Sequence, residues 1–128
     1  SDEKQIYIST GLGGKGEKLR FYVLILANEL KPFLEYQKKV IEREFPYSLE
    51  KAGCEIERLT IGEKYMELVF LIPVRADIKQ ALDKVINECN QYGNFLSQVF
   101  TITNVKELSA EEVEEIIKKN GGNSQASH

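Results

Sequence analysis

Residues 20–27, RFYVLILA, decide the fold. The run is apolar at almost every position and rich in aromatic and β-branched side chains. Its shortness, and the Asn28 and Pro32 that follow, predict a central strand covered on both faces rather than a buried helix. Downstream, Phe33, Leu34, Val40, Ile41 and Phe45 recur at helical spacing within residues 32–53. Pro32 suits a first helical position, where a missing N–H costs nothing. Pro46 is expected to interrupt this helix and Gly53 to cap its end. Its charges balance, Glu35, Glu42, Glu44 and Glu50 against Lys38, Lys39, Arg43 and Lys51, which marks a solvated face.

Two strand-like runs follow, 54–61 and 64–74, split by Gly62-Glu63. A type II′ turn there would need positive φ at Gly62. In the second run Met66, Leu68, Phe70 and Ile72 share one face, and Tyr65, Glu67, Val69 and Leu71 the other, so it too is apolar on both sides apart from Glu67. Asp77 with Gln80 opens a second helix over residues 77–89. That helix is striped by Ile78, Ala81, Leu82, Val85, Ile86 and Cys89. A last strand is expected at 96–103. Ser109 with Glu112 then opens a short helix bearing Val113, Ile116 and Ile117. Ahead of the central run lie a short strand at Ile6-Tyr7-Ile8 and a glycine-rich loop, residues 10–18 (TGLGGKGEK).

The order strand, helix, hairpin, helix, strand resembles the ferredoxin-like fold, a βαββαβ arrangement of the α+β class. The resemblance is one of topology, over about residues 19–104, and implies a four-stranded antiparallel sheet with the first and third core strands side by side. Those are the two strands read here as apolar on both faces. The more polar runs at 54–61 and 96–103 are expected at the edges. An N-terminal extra strand and a short C-terminal helix complete the expectation. The chain divides into residues 1–18 (strand and loop), 19–119 (a single domain) and 120–128 (a disordered tail).

The chain has 128 residues, 42% hydrophobic and 29% charged, with a net charge of −3. That balance offers no bulk attraction to nucleic acid or to an anionic membrane. No apolar run approaches the roughly 20 residues of a membrane helix, and no export signal is present, so a cytoplasmic location is expected. Cys54 and Cys89 lack ligand or redox spacing and read as reduced, structural thiols. The single histidine is His128. No metal, cofactor or catalytic group is expected. The glycine-rich loop misses the phosphate-loop pattern, since Glu17 and Lys18 stand where Lys and Ser/Thr are required.

What remains is the second face of the central strands. A helix pair covers one face, so the other is expected to be a contact surface around Tyr22, Tyr65, Val69 and Leu71. The chain therefore reads as a non-enzymatic interaction or regulatory module, a homodimer or a protein-docking domain. The alternative is a protein or enzyme that binds a small anionic ligand near the loop, through Lys15, Lys18 and Arg20 with Glu67 lining the pocket. An RNA-binding domain is a minor alternative, because RNA-recognition domains share this topology. The segment 64–70 (KYMELVF) departs from their pattern, and a nucleic-acid partner is not expected.

Overall fold

The computed structural model describes residues 5–7 and 16–126, and in it residues 20–27 lie within a strand. The elements run β1 (Gln5–Tyr7), β2 (Lys18–Ala27), α1 (Glu35–Lys51), β3 (Glu55–Ile61), β4 (Tyr65–Pro73), α2 (Ile78–Asn90), β5 (Leu96–Thr103) and α3 (Ala110–Ala126). The sheet has the order β1-β3-β4-β2-β5, and each pairing is antiparallel. β2 and β4 are neighbours at its centre, in unbroken register from Lys18 opposite Pro73 to Leu26 opposite Tyr65. The α+β, ferredoxin-like expectation is met. One detail differs. β3 is not an edge, because β1 pairs along it through Ile6 opposite Thr60.

Strand alternation sorts the side chains into two layers. On the inner face Val23, Ile25, Met66, Leu68 and Phe70 pack with Val40, Ile41, Phe45 and Leu49 of α1 and with Leu82, Val85, Ile86 and Cys89 of α2, in one buried cluster. On the outer face Tyr22, Leu24, Tyr65 and Val69 form a second cluster with Val113 of α3, flanked by Leu26, Leu108, Ile116 and Ile117. The outer face is therefore closed by the chain's own third helix.

One expectation about α1 is corrected. Pro46 does not interrupt α1. It removes one backbone donor, but Pro46 and Leu49 are both buried, and that packing carries the helix to Lys51. Gly53 then ends it at φ 88°, with the Cys54 N–H donating to the Leu49 carbonyl at 2.9 Å. α3 spans Ala110–Ala126. Its start is the capping box read from sequence: the Glu112 N–H donates to Ser109 Oγ (3.2 Å), and the Ser109 N–H to Glu112 Oε1 (2.8 Å).

Gly62 is glycine for a different reason from the one expected. It is not among the positive-φ glycines. A β-carbon there would lie 2.6 Å from Cε1 and 2.7 Å from Cζ of Tyr65, whose ring folds back over the hairpin turn. Gly62→Ala should therefore lower stability by roughly 1–3 kcal/mol through overpacking. Urea denaturation measures it, and a loss under about 0.5 kcal/mol would mean that the ring swings clear.

Candidate functional site

The outer face carries most of the residues singled out from sequence, so their arrangement comes first. Tyr22 and Val69 are opposite each other in register. They are 2% and 1% exposed, and Tyr65 is 9% exposed. Leu71 is half-buried. The Tyr22 hydroxyl donates to Glu67 Oε2 at 2.7 Å. Burial first, and that bond second, push the Tyr22 hydroxyl well above its ordinary pKa, which makes it a poor nucleophile as placed. A β-bulge between Ile56 and Arg58 changes the phase of β3 and puts Arg58 opposite Val69. There Arg20 Nε meets both Glu57 oxygens (3.0 and 3.1 Å), Arg20 Nη2 meets Glu107 Oε2 (3.1 Å), and Arg58 meets Glu107 Oε1. The hydrogen bond from Arg58 is the main cause that holds the Glu107 carboxyl below its usual range.

Arg20 is thus engaged by two carboxylates. Lys18 sits half-buried at the start of β2. Lys15 and most of the glycine-rich loop lie outside the described residues. The structure brings Tyr22, Glu67, Arg20 and Val69 onto one face. Cys54 and Cys89 are fully buried, and burial pushes their thiols up to about 11 and about 12. Among the described residues no group of three His, Cys, Asp or Glu side chains could hold a metal ion.

An accessible concavity lies at one end of the sheet, where β2 turns into α1. The Asn28 N–H donates to the Phe95 carbonyl (2.8 Å) and Asn28 Nδ2 to the Asn94 carbonyl (3.2 Å). The chain then reverses, and the Lys31 N–H donates back to the Asn28 carbonyl at 3.2 Å. Glu29 and Leu30, the two central residues, have φ of 58° and 56°. That is type I′ geometry, ordinarily reserved for Asn and Gly. Left-handed backbone at a residue with a side chain costs about 1–2 kcal/mol. Part of the offset is visible: half-buried Leu30 reaches α3 at Gly121, where a β-carbon would lie 3.4 Å from Leu30 Cδ1.

Beside this turn is a cleft of about 590 Å³, within the usual range for ligand sites. Its polar wall is made of amides, Asn28, Gln37 and Asn94, and of the Lys31–Glu29 ion pair (3.2 Å). Its apolar wall is Pro32, Leu34 and Phe95. The Phe95 ring meets Phe33 edge-to-face at 6.1 Å, which fixes the floor. Gln37 Oε1 accepts from the Leu34 N–H at 2.9 Å, so its amide NH₂ is left as a donor. Amide side chains both donate and accept, the pairing that base edges require. Little in the sequence signals this cleft. Its strained turn contains no glycine, and Pro32, expected at the first helical position, precedes a helix that begins at Glu35.

No family model matches the chain, and no curated protein matches it. Among solved structures, the fold is similar to that of a protein from Deinococcus radiodurans R1 assigned as a transposase. The TM-score is 0.66 at 13% identity, over 83% of this chain and 93% of that one. It is also similar to a REP-associated tyrosine transposase bound to a REP hairpin, with a TM-score of 0.58 at 9% identity, over 80% of this chain and 66% of that one. The chain spans just under two thirds of that second protein. These likenesses bear out the fold, α+β and ferredoxin-like.

They also overturn two expectations. A non-enzymatic interaction module docking through an open sheet face does not stand. The structural neighbours are transposases, and the face in question lies beneath α3. The exclusion of nucleic acid does not stand either, since one neighbour is solved on a REP hairpin. A net charge averaged over the whole chain says little about a single cleft. No helix among the described residues is long and apolar enough to cross a membrane.

Proposed function

We propose that this chain is a DNA-binding domain of the transposase type, and that it holds unpaired or hairpin DNA at the cleft beside residues 28–31. The observation that carries the reading is the fold's likeness to a transposase solved on a hairpin. The chemistry of the cleft supports it: three amides face an apolar wall, the combination that orients an unstacked base. Among the lining residues the cation is Lys31, and it is balanced by Glu29, so recognition would rest on bases more than on phosphates. Two buried free thiols fit a reducing compartment, and a cytoplasmic location is part of the proposal.

The test is fluorescence anisotropy of a labelled DNA hairpin with the full chain at low salt. Binding at micromolar concentration or tighter is expected. Gln37→Glu keeps the oxygen that caps the Leu34 N–H but removes the donor, and Asn94→Ala removes a second amide. Each should weaken binding by roughly 5- to 150-fold, the worth of a good base contact. Absence of binding by the unaltered chain would sink the reading.

A further inference from the structure

Three exposed tyrosines gather on the helical side of the molecule, next to the cleft. Tyr36 and Tyr47 of α1 are 49% and 65% exposed, and Tyr92, after α2, is 50% exposed. The Tyr36 hydroxyl donates to the Tyr92 carbonyl at 3.1 Å, which ties two of them together. Cations are interleaved with the rings. The Arg43 guanidinium carbon lies 5.1 Å from the Tyr92 ring centre, and Lys51 Nζ lies 5.1 Å from that of Tyr47. Tyr36, Arg43, Tyr47 and Lys51 are spaced seven, four and four residues apart, which sets them along one helix face. The track meets the cleft directly: Tyr36 falls between the cleft residues Leu34 and Gln37, and Tyr92 two residues before Asn94.

We propose that this face is a stacking track for single-stranded DNA, leading away from the cleft along α1. The inference rests on the DNA-binding reading and adds where the strand runs and what grips it. An exposed aromatic ring offers any base a π-face, and adjacent cations serve the backbone. Tyr36 to Tyr47 covers about 16 Å of helix at about 1.5 Å per residue, room for roughly five stacked bases at about 3.4 Å each. The track has few cations, and Arg43 Nε is shared with Glu44 at 2.8 Å. Stacking therefore dominates, and the salt dependence is shallow. With two phosphate contacts, the slope of log K against log salt is about −1.4 for a single strand.

The chain has no tryptophan, so its emission comes from tyrosine, and a base stacked on a ring quenches it. The experiment titrates the full chain with oligo-deoxythymidylate of about 15 nucleotides, long enough to cover such a track, and separately with a blunt DNA hairpin. Tyrosine quenching is expected with the single strand. Tyr47→Ala should weaken single-strand binding roughly 5- to 150-fold and leave the blunt hairpin unaffected, while Tyr47→Phe, which keeps the ring face, should bind as the unaltered chain does. If Tyr47→Ala binds the single strand normally and no quenching occurs, the track is overturned, as it would be if the face serves a protein partner. Hairpin binding that survives leaves the cleft reading standing. Loss of binding to both DNAs by the unaltered chain removes both readings.

Discussion

Replacing Val69 with lysine should cost the folded state about 3–5 kcal/mol, the penalty for a buried charge without a partner. Val69 is 1% exposed. It lies opposite Tyr22 on β2 and Arg58 on β3, under Val113 of α3. Glu67 is the nearest carboxylate in sequence, but its Oε2 already accepts the Tyr22 hydroxyl, and Arg58 adds like charge. Read from sequence, the same substitution would break an intermolecular contact and spare the fold. The position of α3 reverses that expectation. Urea denaturation at neutral pH measures the loss, with Val105→Lys as the control. Val105 is 86% exposed, so that change should stay within about 0.5 kcal/mol. A Val69→Lys variant that loses less than about 1 kcal/mol would mean that α3 does not pack on the sheet.

The elements were legible because each is driven by a local pattern with one reading. The run at 20–27 cannot be amphipathic, and the stripe from Ile78 to Cys89 has the helical period and little else. The two-sided apolar pattern of β2 and β4 also announced that both faces are covered. It could not say by what. The stripe Val113, Ile116, Ile117 is narrow, and the side chains it meets, Tyr22 and Tyr65, bury much area each, so a short stripe closes more sheet than counting residues suggests. The cleft was illegible for a different reason. Glu29 and Leu30 adopt left-handed backbone, and neither residue type carries that signal. The tyrosine track was hidden by bookkeeping. Balanced charges on α1 read as a solvated face, and the register that sets Arg43 against Tyr92 depends on the loop after α2.

Between pH 9 and 11 the domain should lose stability steeply, because three buried groups must stay neutral for it to fold. Cys54 and Cys89 are fully buried. Their thiols are raised from 9.0 to about 11 and about 12, chiefly by burial, with nearby carboxylates adding to the effect at Cys89. Tyr22 is raised above its ordinary 10.0, chiefly by burial and then by its bond to Glu67. In each case the unfolded chain gives up its proton before the folded chain does. Stability from these groups is complete below pH 9 and is lost as pH rises through the folded values. Each proton held only by the folded state contributes a slope of a little over 1 kcal/mol per pH unit. From pH 9 to 10 the two thiols act together; from 10 to 11 the phenol joins them, and the combined slope approaches 4 kcal/mol per unit, comparable to the whole stability of a marginal domain. Urea denaturation at pH 8, 9, 10 and 11 under reducing conditions gives the slope directly. Tyr22→Phe should remove about one proton's share of it above pH 10, while lowering stability at neutral pH by about 1–3 kcal/mol through the unpaired Glu67 oxygen. A flat profile to pH 11, or a Tyr22→Phe profile parallel to that of the unaltered chain, would show that these groups reach water and that α3 does not seal the outer face.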